Sequence, residues 1–201
     1  GGQGMNFEER LYSHYRLAIL LSLIEEPAEA RLRYAVLRVL SRIPGRSANV
    51  SMLATLLPAY GFAVGRDEVE ATVAWCDRAR LVKAAEDDGV LGGLLLDLGR
   101  DVVAGRATVP GVAPAPTFDW LQRNLEAKSI RLGMPDVIAH WSWCAERRLA
   151  TCDDHDDGAL FITPLGIDVA MGRSEVEGIQ APSTSTIMRL AGAAAATRLG
   201  G

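Results

Sequence analysis

The sequence predicts a mainly α fold of the α+β class, built as two repeated units, and three observations predict it. Apolar residues recur at three- to four-residue spacing over several stretches. Two β-prone runs flank an acidic turn, Glu86-Asp87-Asp88-Gly89. A pattern of apolar residues and turn glycines returns 68 residues further on.

The elements follow in order. Gly1 to Gly4 precede Met5 and read as a cloning remnant, outside the fold. Residues 6–25 form an amphipathic helix with Leu11, Tyr15, Ala18, Ile19 and Ser22 at helical spacing, ended by Pro27. A second helix, 29–43, carries Leu32, Val36, Val39, Leu40 and Ile43 on one face and stops at Pro44-Gly45. Helices at 48–60, opening on Ser47 or Asn49, and at 66–80 come next. Strands at 81–85 and 90–96 make a hairpin, and 97–105 is a short closing helix. Residues 109–117, written VPGVAPAPT, read as a proline-rich linker.

The repeat runs through the second half. Val69, Trp75-Cys76 and Arg80-Leu81 match Val137, Trp143-Cys144 and Arg148-Leu149 at a shift of 68. Leu53 and Leu57 meet Leu121 and Leu125. After a one-residue slip, Leu98-Gly99 and Asp101-Val102 meet Leu165-Gly166 and Asp168-Val169. Gly105-Arg106 and Val109-Pro-Gly-Val112 meet Gly172-Arg173 and Val176-Glu-Gly-Ile179. Each copy is thus helix, turn, helix, hairpin, closing helix. With one helix in front, that is a winged helix-turn-helix. Copy one has the front helix; copy two, starting at Phe118, lacks it. The expected organisation is an N-terminal helix at 5–27, unit one at 28–108, the linker at 109–117, unit two at 118–182 and a tail at 183–201. A unit without its first helix exposes an apolar face. The candidate covers are helix 6–25, the alanine-rich tail at 187–199, or a second protomer.

Several of these segments resemble a known family. Leu17-Ala-Ile-Leu20, Val64-Gly-Arg66-Asp67-Glu-Val69, Trp75, Leu81-Val82 and the stretch from Gly99 to Val112 resemble small proteins of Mu-like prophages labelled ArsR-like winged-helix regulators. The resemblance spans about residues 10–116 and returns more faintly over 165–179. It implies a winged-helix fold and a phage origin, but no catalytic or binding residues. Family members carry one unit, so the tandem form departs from their pattern.

Charge gives a divided message. The net charge is −4, and the cations are 19 arginines against Lys83 and Lys128 alone. A general nucleic-acid binder is usually basic. The helix 66–80 is the candidate recognition helix. It presents Arg66, Arg78 and Arg80, but also Asp67, Glu68, Glu70 and Asp77. Copy two offers Arg147 and Arg148 with Asp136, His140 and Glu146. Arg31, Arg38, Arg42 and Arg46, at spacings of 7, 4 and 4, form a stripe that could clamp a DNA backbone or be a solvated, internally paired face.

His140, Cys144, Cys152 and His155 form H-x3-C-x7-C-x2-H, a candidate zinc set of unusual spacing. Cys76, the counterpart of Cys144, has no such partners, which points to a core thiol. Trp75 and Trp143 read as core or interface residues, and Trp120 with Trp141 as an aromatic patch. The aspartates around His155 read as the tip of the second hairpin. There is no Walker loop, GxSxG or HExxH, so no enzyme and no cofactor are expected.

Three cysteines give no disulfide framework, no apolar run is long enough for a bilayer, and the expected compartment is the cytoplasm. The expected function is a DNA-binding transcriptional regulator, homodimeric through helix 6–25, with double-stranded DNA as partner. The alternative is a non-enzymatic adaptor that contacts another phage protein in assembly or packaging.

Overall fold

The computed structural model describes residues 4–153 and 158–199. It is α+β, with helices predominating and two small antiparallel sheets. The chain divides into two units whose boundaries are not those of a simple tandem. One is continuous, residues 26–115; the other is split, residues 1–25 together with 116–201. The first helix, α1 (Phe7–Leu23), belongs to the split unit.

The continuous unit starts with α2 (Ala28–Arg42), whose Leu32, Val36, Leu37, Val39 and Leu40 are buried. Strand β1 (Ser47–Asn49) leads into α3 (Val50–Leu56), where Asn49 caps the helix by accepting the Met52 N–H at 2.8 Å. After Gly61, left-handed at φ 87°, comes α4 (Arg66–Arg78), burying Val69, Thr72, Val73 and Cys76. Strands β2 (Val82–Asp87) and β3 (Val90–Leu95) form the hairpin. The sheet order is β1-β3-β2, with Ala48 and Ala84 both opposite Gly93. Helix α5 (Asp97–Val103) closes the unit. Gly99 makes that closure possible, since a Cβ there would sit 2.3 Å from the Leu81 carbonyl oxygen.

Residues 109–113 are not the loose linker that their prolines suggest. Val112 donates to the Val109 carbonyl and Ala113 to that of Ala30, at 3.1 Å each, so the segment is strapped onto α2 and the boundary falls after Ala115.

The split unit repeats the plan. Helices α6 (Phe118–Ala127) and α7 (Met134–Glu146), hairpin strands β4 (Ala150–Cys152) and β5 (Leu160–Ile162), and α8 (Pro164–Ala170) follow the same order, with α9 (Thr184–Leu199) after them. The expected acidic tip of this hairpin, 154–157, lies outside the described residues. Leu160 N–H donates to the Pro116 carbonyl at 2.8 Å, in the place where β1 pairs with β3 in the other unit. Gly166 stands where Gly99 does, its absent Cβ 2.0 Å from the Leu149 oxygen.

The missing front helix of the second copy is α1. It packs on α6, α7, α8 and β5, and its Ala18, Ile19, Leu20 and Leu23 share one core with Leu121, Leu125, Val137, Trp141 and Leu149. A reciprocal capping box at Asn6 and Glu9 starts it. Its apolar face is consumed inside the unit, so it does not present that face for dimerisation. Trp141 is core as well, 4% exposed and edge-on to Phe118, and forms no aromatic surface patch.

Candidate functional site

Both units carry the same clamp. In the continuous unit the Arg33 guanidinium carbon lies 3.9 Å from the Trp75 ring centroid, and Arg33 Nη1 donates to the Gly111 carbonyl at 2.9 Å. In the split unit Arg16 lies 3.9 Å from Trp143 and donates to Gly178 at 3.2 Å. Gly111 and Gly178 have φ of +90° and +95°, and a Cβ at either would fall 2.6 Å from the indole. Ala30 and Ser13 carbonyls accept N–H groups from Ala113 and Gln180. Arg16 and Arg33 are therefore equivalent, at a shift of 17 residues between α1 and α2. The signal was present as Arg16-Leu-Ala-Ile-Leu20 against Arg33-Tyr-Ala-Val-Leu37. The clamp also explains why Val-x-Gly-(Val/Ile) recurs: the glycine is the only residue that fits beneath the tryptophan.

The arginine stripe on α2 is not a solvated face. Arg38 is only 2% exposed, Arg31 and Arg42 are half-buried, and Arg46 alone is exposed. The cause is packing: α3, α4, α5 and β3 all contact α2, leaving little of its circumference to water. Burial lowers the pKa of Arg31, whose Nε donates to the Glu26 carbonyl.

On α4, Arg66 is held by Glu70 at 3.2 Å, and Asp77 accepts the Ala84 N–H at 2.9 Å. Arg78 and Arg80 are exposed, as are Asp67 and Glu68 on the helix and Glu86, Asp87 and Asp88 on the hairpin. In the split unit Arg147 stacks 3.6 Å from the Trp143 centroid, and Arg148 is exposed. The structure thus places Arg66, Arg78 and Arg80 on one helix and its end, beside more carboxylates than arginines. Arg38, being buried, joins no cationic surface with them.

The zinc candidate does not assemble among the described residues, where no group of three or more metal-ligating side chains occurs. His155 lies outside them. Cys144 is buried, its thiol pushed up to about 12 by desolvation, as is that of Cys76; neither favours the thiolate that zinc requires.

His140 instead belongs to the contact between α7 and α1. Its ring lies 5.0 Å from Tyr12 and 5.7 Å from Tyr15, and Thr72 occupies its place in the other unit. Burial and then Arg16 lower its pKa, against a smaller opposing effect of Asp136. The folded state therefore prefers neutral His140. Its stabilising contribution is complete above about pH 6.5, the unfolded value, and is lost as pH falls from there through the lower folded value. The melting temperature of the split unit is expected to drop between pH 7.5 and 5, and His140→Thr to flatten that drop. An identical pH profile in the variant would assign the loss to other groups.

A protein of Escherichia phage Mu, uncharacterized protein gp26, is 40% identical to this chain over 65 residues, which are 32% of this chain and 68% of the phage protein. The chain belongs to the gp26 family. Those shares make the Mu gp26 protein less than half as long as this chain. Membership carries the expected phage kinship; the gp26 name itself specifies no activity. No family model and no solved structure matches the chain. Among the described residues, no helix is long and apolar enough to cross a membrane.

Proposed function

We propose that the protein is a non-enzymatic phage adaptor, made of two winged-helix units and acting through protein contacts in assembly or DNA packaging. The observation that carries this reading is the carboxylate excess on the α4 and hairpin surface. A winged helix reads DNA with the second helix of its helix-turn-helix, here α4, and steadies the backbone with its wing. Here Asp67, Glu68, Glu86, Asp87 and Asp88 are exposed in those places and would repel phosphate. An odd number of cysteines, with Cys76 and Cys144 as buried thiols, suits the reducing cytoplasm of a host cell.

A second reading, a DNA-binding transcriptional regulator, is favoured by Arg46, Arg78, Arg80 and Arg148. All four are exposed, and among the described residues none is in an ion pair. Fluorescence anisotropy on duplex DNA separates the two readings. The adaptor reading expects no saturable binding even at low salt, where any phosphate clamp gains most. Saturable, salt-sensitive binding that Arg78→Ala and Arg80→Ala weaken would replace it with the regulator.

A further inference from the structure

The two units serve as each other's control, and they differ at one informative place. Trp143 carries two guanidinium carbons, Arg16 at 3.9 Å and Arg147 at 3.6 Å from the ring centroid. Two groups that close to one centroid cannot share a face, so the indole is sandwiched. Trp75 has Arg33 at 3.9 Å, but Ala79 stands where Arg147 would be, and a methyl group cannot cover the second face. Trp75 is half-buried, as Trp143 is.

This place in the continuous unit thus keeps the indole and lacks the second cation. We infer that the outer face of Trp75 receives an arginine side chain of a protein partner, its guanidinium stacking on the indole. The inference rests on the adaptor reading and gives the partner a chemistry: a basic segment. The split unit shows the stacked arrangement already made, with Arg147 as the stand-in. Charge agrees, since α4 carries Asp67, Glu68, Glu70 and Asp77 against Arg66, which is paired with Glu70, and Arg78, with Arg80 just past the helix. Arginine fits better than lysine because its planar guanidinium stacks flat on an indole.

The test is a titration of the full-length protein with a blocked Arg-Gly-Arg-Gly-Arg peptide, followed through the tryptophan indole N–H resonances. Trp75→Phe assigns the signal. The Trp75 resonance is expected to shift saturably while that of Trp143, already sandwiched, stays still. Ala79→Arg should abolish the shift by filling the face from within. That variant is compatible with folding, because the other unit carries arginine at the same helical position. A silent Trp75 resonance, or equal binding by Ala79→Arg, overturns the inference. Failure here without duplex binding removes the arginine site alone, whereas duplex binding in the anisotropy experiment removes the adaptor reading.

Discussion

Removing residues 1–25 is expected to unfold residues 116–199 while residues 26–115 keep their own melting transition. The magnitude follows from what α1 buries. Leu17, Ile19, Leu20 and Leu23 are each at most 6% exposed. At about 1.5–3 kcal/mol for each large apolar side chain, the helix supplies roughly 6–12 kcal/mol of burial. That is comparable to the whole net stability of a small domain, about 5–15 kcal/mol. Its loss would also bare Leu121, Leu125, Val137 and Trp141 to water. The specific contacts add to this, including Lys128 paired with Glu25 at 2.5 Å and hydrogen-bonded to Ser22. Near-ultraviolet circular dichroism and calorimetry would read the result as one cooperative transition in place of two. A truncated chain that keeps both transitions would show that α6, α7 and the hairpin stand without α1.

Gly166→Ala and Gly99→Ala carry the next largest effect, and each should act in its own unit. A Cβ at Gly166 would lie 2.0 Å from the Leu149 oxygen and 2.7 Å from Ile162 Cγ1. At Gly99 it would lie 2.3 Å from the Leu81 oxygen and 2.6 Å from Leu95 Cδ1. The nearest atom is backbone in both cases, so no side-chain rotation relieves the clash, and the closing helix must lift off the strand that follows α4 or α7. Overpacking of this kind costs about 3 kcal/mol or more. For a domain of this size that lowers the melting temperature by roughly 12 °C or more. Gly166→Ala should shift only the split unit's transition, and Gly99→Ala only the other. Shifts of both transitions by either variant would mean that the two units do not unfold independently.

The repeat was legible because the features that recur are those with no substitute. Gly99 and Gly166 lie against backbone, Gly111 and Gly178 lie under an indole, and Trp75 and Trp143 hold the arginine. What covers the second copy was legible only as a choice of three. The decisive match between Arg16 and Arg33 lies between neighbouring helices, not across the 68-residue shift. Arg38 misled because a charged residue on a helix is assumed to face water. Its surroundings come from α3, α4, α5 and β3, which periodicity within α2 does not reveal. Strand β1 was missed because Ser-Ala-Asn is too short to show alternation and exists through its pairing with β3. Trp141 could have been placed from the repeat, since its counterpart Val73 is fully buried. The face of α4 was readable as to charge. The stacking on Trp143 was not legible, because an arginine four residues after a tryptophan need not lie over its ring.

The most direct measurement of the nested arrangement is recombination in trans. A peptide of residues 5–25 is added to the chain of residues 26–201, and the near-ultraviolet signal of the split unit's tryptophans is followed. Saturable one-to-one restoration of that signal is expected, with an Arg16→Ala peptide binding more weakly because Trp143 and the Gly178 carbonyl lose their partner. A signal already at full strength without the peptide, or restoration indifferent to Arg16, would contradict it.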